Sequence, residues 1–490
     1  MGNKESVLKK NFIYSTFYQV LCVITPFITA PYLSRVLGAD GVGIQSFTGS
    51  VQSYFLLFAA LGTGVYGQRE ISRNRDSKAE YSRLFWEIEG ISVFTSLICI
   101  LAWLFVVLSG GPYRVYYIAS IPNLFAVMFN ISWFFAGLEQ FKRTVMRSVI
   151  LRLLGILLMF LFVKGKEDLA LYIGLCALSS LLSNLSLWLE LPGFLERVDM
   201  RRLHFKVHLK QSFVYFIPTI ATSVYTMLDK TLIGLITGSN AQNGYYEQAE
   251  KVIGIAKSLS FTSVNAVLGV RMAYLFEGNK VEEIRARIYD SMEFIMFMAI
   301  GCGAGIIGVA ANFVPFFFGD GYAPVIPLLY IFSPIILIIG VSNCLGAQYY
   351  TPSGRRAQSA KYIVTGAVVN LCLNLLLIPG FGATGAALAS IIAELVITVC
   401  YVHFSDGYMS AAKWAGISWR KLLSGAVMAV CVMGIGCLPV HNMAVRLVVQ
   451  VLGGVLIYVV LLLLFRDPWC GKQLRDIWRR GIRRNGEIKN

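Results

Sequence analysis

Charge is scarce in this chain. Of its 490 residues, 14% carry a formal charge, against roughly 25% in an ordinary soluble protein, so most of the sequence is not built to face water. Histidine is rarer still: His204, His208, His403 and His441 are the only four. They stand apart in loops or at helix ends, which leaves no metal cluster to expect. None of the ten cysteines forms a Cys-x-x-Cys pair, so neither a zinc site nor a disulfide framework is indicated. Nine of them fall inside apolar stretches, as small packing residues. No glycine-rich phosphate loop and no Ser-His-Asp set is legible, so we expect no catalytic residue, no cofactor and no ATP hydrolysis. No external connection is long enough for a domain bearing catalytic carboxylates, which argues against a polymerase or glycosyltransferase.

What is abundant is apolar sequence. Hydrophobic residues make up 56% of the chain, with a mean hydropathy of +0.65. A bilayer-spanning helix needs roughly 20 such residues. About fourteen stretches qualify: 11–33, 42–66, 85–108, 114–137, 145–163, 169–191, 211–236, 246–274, 288–313, 322–346, 359–379, 383–404, 419–439 and 443–465. Their length and their Leu, Phe and Gly content fit helices rather than the short alternating strands of a barrel. The expected fold class is therefore an all-α polytopic membrane protein with about 14 transmembrane helices. The first run follows Lys4, Lys9 and Lys10, carries Pro26 and Pro31 and has no small-residue cleavage site, so it reads as an uncleaved helix.

The net charge of +16 invites a nucleic-acid reading that its distribution rejects. About three quarters of the Lys and Arg lie in the N-terminus, every second loop and the tail, the lopsided alternation of the positive-inside rule. The opposite loops hold only Arg35, Arg114, Lys164, Lys166 and Arg446. Both termini are thereby expected in the cytoplasm, and the tail near anionic headgroups. Glu87, Glu89, Glu190 and Glu293 fall near that surface and are expected to be solvated.

The chain also repeats itself. Tyr32 to Gly43 reads YLSRVLGADGVG and Leu232 to Gly244 reads LIGLITGSNAQNG, so Gly38 and Gly238, then Gly43 and Gly244, mark equivalent turns. With a basic loop at 197–210, this suggests two six-helix lobes, 1–195 and 196–405, a helix pair at 406–465 and a basic tail at 466–490. An even number of helices per lobe gives both the same orientation, related by a pseudo-twofold along the membrane normal.

Several of these segments resemble one family. They are YLSRVLG before its Gly-x-Gly turn, Leu61-Gly-Thr-Gly, the loop Gln68 to Arg75, Leu228-Asp-Lys230, Gly244 to Lys251, and Gly382 to Ser390 with Glu394. As a set over roughly residues 5–405 they resemble the oligosaccharide and polysaccharide flippases of the multidrug/oligosaccharidyl-lipid/polysaccharide superfamily. Val270 departs from that pattern, since proline is expected before Arg271. The resemblance implies translocation of an undecaprenyl-diphosphate-linked oligosaccharide across the cytoplasmic membrane by alternating access. The implied partners are the bilayer, the lipid-linked substrate, a polysaccharide polymerase with its chain-length regulator, and a coupling proton or sodium ion. A peptidoglycan-precursor (lipid II) flippase is the alternative. A cation-coupled multidrug antiporter of the same fold is less favoured, because the first helix has no acid.

The candidate site follows from charges in the wrong place. A charge at the bilayer centre costs about 2.5–3.5 kcal/mol on insertion scales, yet Arg152, Lys230, Lys251, Lys257 and Arg271 lie inside apolar segments. With Arg35 at the outer edge, they form the expected cationic path for a diphosphate. Glu247, Glu250, Lys251, Gly254 and Lys257 share one helical sector. Asp229, Glu247, Glu250 and Glu394 are the expected counter-charges or coupling-ion ligands. Snorkelling side chains and i,i+4 neutralisation are the structural alternatives for these residues.

Overall fold

In the computed structural model the described residues are 2–278, 280–473 and 475–476; the side chains of 2–20 and of scattered later positions, Pro218 and Arg271 among them, lie outside the description. The chain falls into two compact units, Met1–Glu247 and Gln248–Asn490. The first holds α1 (Gly2–Ala60), α2 (Thr63–Arg73), α3 (Lys78–Ser109), α4 (Arg114–Ala119), α5 (Ile121–Met128), α6 (Ser132–Gly137), α7 (Phe141–Phe162), α8 (Leu169–Trp188), α9 (Phe205–Thr237) and the start of α10 (Asn240–Lys257). The second follows a π-helical turn at Ser258–Thr262 with α11 (Ser263–Glu277), α12 (Val281–Phe318), α13 (Val325–Phe332) and α14 (Pro334–Leu345). A second π-helical turn, Gly346–Tyr350, then leads to α15 (Arg356–His403), α16 (Ala411–Gly436) and α17 (Met443–Leu464). No strand occurs among the described residues. The expected lobe division at 195/196 precedes α9, whereas the boundary between the compact units falls inside α10.

Nine helical stretches among the described residues are long and apolar enough to cross a membrane. One of them, α15, carries two expected spans. The remaining four expected spans fall on α1, α9 and α10–α11, which include residues outside the description. Glycine explains how α1 and α15 each carry two spans. Gly38 (φ 70°, ψ 178°) interrupts α1 and Gly382 (φ 55°, ψ −132°) interrupts α15, conformations that a side chain would resist. Polar side chains start other helices: Ser77 accepts from Glu80 N, Ser410 from Lys413 N, and Asn442 from Ala444 N and Val445 N. The apolar faces left outward, such as Val448, Leu452, Val455 and Leu456 of α17, are what a lipid-facing helix requires. The chain is a multi-pass membrane protein.

Three of the four glutamates expected to be solvated have partners inside the units, and none of the four is fully exposed, which corrects that expectation. Glu87 is fully buried on α3 and accepts from His208 Nε2 at 2.9 Å and from the His204 backbone N–H at 2.8 Å. His208 Nδ1 lies 2.7 Å from the Tyr66 hydroxyl, so one histidine ties α2, α3 and α9. Glu89 is equally buried, and neither of its oxygens has a partner among the described residues. Glu190 pairs with Arg147. Helix periodicity accounts for the difference: these acids lie near the segment ends but on faces turned towards neighbouring helices.

Glu293 is corrected in the same way. Lys421, at the start of the expected span 419–439, is fully buried on α16. Its ammonium donates to Glu293 of α12, to Asp467 beyond α17 at 2.9 Å and to the Ile417 carbonyl at 2.9 Å, using all three N–H bonds. Asp467 Oδ1 also accepts from Cys470 N. Outside the spans, Arg355 first and Tyr349 second hold the Asp406 carboxyl below its ordinary range. That clasp supports the connection between α15 and α16 above the usual aspartate range and loses its contribution as pH falls through the lowered value.

Removing one partner from a buried ion cluster typically costs about 3–5 kcal/mol. Lys421→Met should therefore lower the thermal midpoint of the purified protein sharply, and adding Glu293→Gln with Asp467→Asn should recover much of the loss. An unchanged midpoint in the single variant would contradict the role of the triad.

Candidate functional site

The first part of the candidate site is built where α1 crosses α10. A Cβ on Gly43 would lie 1.7 Å from the Asn240 carbonyl oxygen, and one on Gly244 would lie 2.1 Å from that of Ala39. The two helices thus meet backbone to backbone, and the contact is reciprocal: each glycine presses on the residue four before its counterpart. Gly38 and Gly238 both adopt left-handed φ, 70° and 62°. All four glycines expected from the repeat are conformationally or sterically required.

That close approach carries the polar groups beside it. Ser46 donates to Glu247 Oε2 at 3.0 Å, and Lys230 Nζ lies 2.7 Å from the same oxygen. Asn243 donates to the Lys230 carbonyl at 2.7 Å, and the Tyr246 hydroxyl donates to Asp229 at 2.6 Å. Lys230 is half-buried and Asp229 is buried. The adjacent Asp229 and Lys230 therefore each engage α10, the cation through Glu247 and the acid through Tyr246. Arg35 is exposed, with its guanidinium 3.4 Å from the Pro31 carbonyl.

The second compact unit holds the other expected charges apart from Arg152. Glu250, Lys251 and Lys257 are half-buried on α10, and a Cβ on Gly254 would meet nothing within 4 Å. Lys257 Nζ sits 5.9 Å from the centre of the Phe332 ring, within cation–π range. It immediately precedes the Ser258–Thr262 π turn, a backbone irregularity that recurs at functional positions. Beyond it, α11 runs unbroken through Val270 and Arg271; the side chain of Arg271 lies outside the described residues. Asn265 donates to Asn343 and accepts from Gln348 at 2.9 Å, joining α11 to α14 and the second π turn. Glu394 is buried on α15, near the chain in which Asn374 donates to Asn370 and Asn370 to Ser390.

Arg152 stands apart from these pairs. It lines a slot of about 740 Å³ between α1, α6, α7 and α8, entirely within the first unit. On α7 the lining repeats every three or four residues through Thr144, Ser148, Arg152, Gly155 and Met159. On α8 it runs through Tyr172, Cys176, Ser179, Ser180, Ser183 and Asn184. Thr25 and Thr29 complete the wall from α1, and Ser148 and Ser183 lie 3.4 Å apart across it. Among the described residues the guanidinium finds one partner, the Cys22 thiol at 2.8 Å. The α8 stripe has no charge, so a search for misplaced charges passes over it; its signal is serine at helical spacing.

No group of three or more His, Cys, Asp or Glu side chains able to hold a metal occurs among the described residues.

Residues 8–269 match the family model described as "Polysaccharide biosynthesis protein". The chain belongs to that family. Over 417 residues it is 24% identical to the "Putative O-antigen transporter" of Escherichia coli (strain K12), covering 82% of this chain and 98% of that protein. It is also 24% identical to the "Probable low-salt glycan biosynthesis flippase Agl15" of Haloferax volcanii, across 51% of this chain and 52% of the relative. Among solved structures, the lipid II flippase MurJ in an inward closed conformation superposes with a TM-score of 0.68, at 16% identity over 90% of this chain and 99% of that one. An inward-facing MATE multidrug transporter of the MOP superfamily gives 0.59 at 13% identity, over 80% and 98%. These two likenesses establish the fold: this member of the polysaccharide biosynthesis family has the all-helical architecture of MOP-superfamily transporters.

The crossing of α1 and α10 yields a test by coupling. Gly43→Ala and Gly244→Ala should each destabilise by about 1–3 kcal/mol, as overpacked contacts do. The double variant should cost clearly less than their sum, because one forced separation accommodates both methyl groups. Strict additivity in thermal or chemical unfolding would mean that the two glycines do not share a contact.

Proposed function

We infer that this protein is a flippase for a lipid-linked oligosaccharide, not an enzyme, and that it works by alternating access. The observation that carries the reading is the near-complete coverage of the O-antigen transporter relative by a chain of the polysaccharide biosynthesis family. Charged groups inside apolar helices support it. Lys251 and Lys257, with Lys230, Arg271 and Arg35, supply cations for a diphosphate headgroup. Asp229, Glu247, Glu250 and Glu394 keep those cations balanced when the headgroup is gone, or take up a coupling proton or sodium ion.

The carrier in this reading is undecaprenyl diphosphate, the location the cytoplasmic membrane with both termini inside, and the two six-helix lobes the moving parts. A polymerase and a chain-length regulator are the partners that would consume the product. Lipid II as substrate draws support only from the likeness to MurJ, at 16% identity. A multidrug antiporter would need acids on the first span, where the sequence has none.

Lys257→Glu as the sole copy in a producing strain should abolish surface polysaccharide while the protein still reaches the membrane. Normal polysaccharide at normal protein level would overturn the cationic path.

A further inference from the structure

The slot around Arg152 has a composition that a diphosphate site does not explain. Eleven of the nineteen residues lining it carry a hydroxyl or amide, among apolar ones such as Val145, Ile156 and Leu175, and Arg152 is the one charged side chain among the described lining residues. Hydroxyls and amides both donate and accept hydrogen bonds, as sugar hydroxyls do, whereas a fully ionised phosphate only accepts. The lining on α7 extends from Phe141 to Met159, about 27 Å at the helical rise, so the space is elongated. Its volume lies within the range of roughly 300–1,000 Å³ usual for ligand pockets.

The arginine itself is underused. A guanidinium offers five N–H donors in a planar fork suited to a carboxylate. Here a thiol, a weak acceptor, is its partner, and no acid occurs among the described residues lining the slot. Gly155, one turn above Arg152 on the same stripe, faces Ser179 closely enough that a Cβ there would lie 2.7 Å from the serine Oγ. The helices approach at that level, and the guanidinium lies one turn below the constriction. A single positive charge balances one carboxylate; two phosphates would leave negative charge unmatched beside neutral walls.

We propose that this slot seats the glycan rather than the diphosphate, with the carboxylate of an acidic sugar, such as a hexuronate, on Arg152. The proposal rests on the flippase reading and adds the chemical class of the sugar. Hydroxyls of neighbouring rings meet Ser148, Ser179, Ser183 and Asn184, while apolar ring faces lie against Tyr172 and Met159. One fixed cation in a neutral polar slot selects for a singly charged ring, because a neutral sugar leaves the guanidinium with its thiol alone.

The test uses full-length protein in lipid nanodiscs and calorimetric titration with three probes: a glucuronate-containing disaccharide, its neutral glucose counterpart and inorganic pyrophosphate. The uronate should bind at least about tenfold more tightly than the neutral sugar, the loss expected for one charge-assisted contact. Arg152→Gln should erase that preference. Arg152→Lys, which keeps the charge but not the fork, should retain part of it, with thermal midpoints verifying that both variants fold. Equal binding of the two sugars, or no saturable sugar binding by folded protein, would overturn the proposal. Pyrophosphate binding that is tightest and depends on Arg152 would also overturn it and assign the arginine to the headgroup. Export by Lys257→Glu keeps the two readings apart. If export persists in that variant while the uronate preference stands, the cationic path fails and the sugar slot does not.

Discussion

The polar pairs around Glu247 depend on the backbone contact between Gly43 and Gly244. A helix pair separated by ordinary side chains has axes 8–10 Å apart; here a single methyl group on either glycine would overlap a carbonyl. Close approach of this kind is the usual role of small residues at helix contacts in membranes, where lipid offers no hydrophobic drive to association. It brings Ser46 and Lys230 onto the same oxygen of Glu247, and lets Phe47 lie over Gly234, where a Cβ would come within 2.2 Å of the ring. Larger residues at 43 and 244 would separate α1 from α10, and Glu247 would lose Ser46.

Low polarity of the surroundings makes each buried charge a commitment. The chain meets it in three ways. Lys421 spends all its donors on two carboxylates and a carbonyl, which fixes α12, α16 and the segment after α17 together. Glu87 takes His208, which in turn reaches Tyr66. Such fully engaged groups suit framework positions, because moving them exposes an uncompensated charge. Arg152 is treated differently, with a weak acceptor and an open slot beside it. An ion left in that condition is ready for a ligand, and that contrast separates framework charges from working ones better than burial does.

Much of this was legible in the sequence. Apolar length and the alternation of basic loops give a polytopic helical protein, and the glycine repeat marks the two positions that later meet face to face. Individual partners were not legible. Glu293 and Lys421 are 128 positions apart, and nothing local to either predicts the other. The same holds for Glu87 with His208 and for Lys230 with Glu247, where a same-helix partner is the natural first expectation. The serine stripe of α8 escaped notice because small hydroxyl residues are ordinary in membrane helices. It gains meaning only opposite Arg152.

Glycan and carrier pose opposite physical problems to a flippase. The diphosphate is the same for every substrate on a given carrier and demands cations, while the sugars are neutral or singly charged and demand many weak, adaptable hydrogen bonds. A single cavity tuned for one would serve the other poorly: clustered lysines would bind any anion, and a hydroxyl wall would release a diphosphate into an apolar interior. The chain carries both chemistries, on different helices. Lys251 and Lys257 follow one face of α10, and the hydroxyls follow α7 and α8. If the lysines hold the carrier and the slot holds the glycan, as proposed above, that separation lets sugar specificity change through small polar substitutions on α7 and α8 without disturbing the charges on α10.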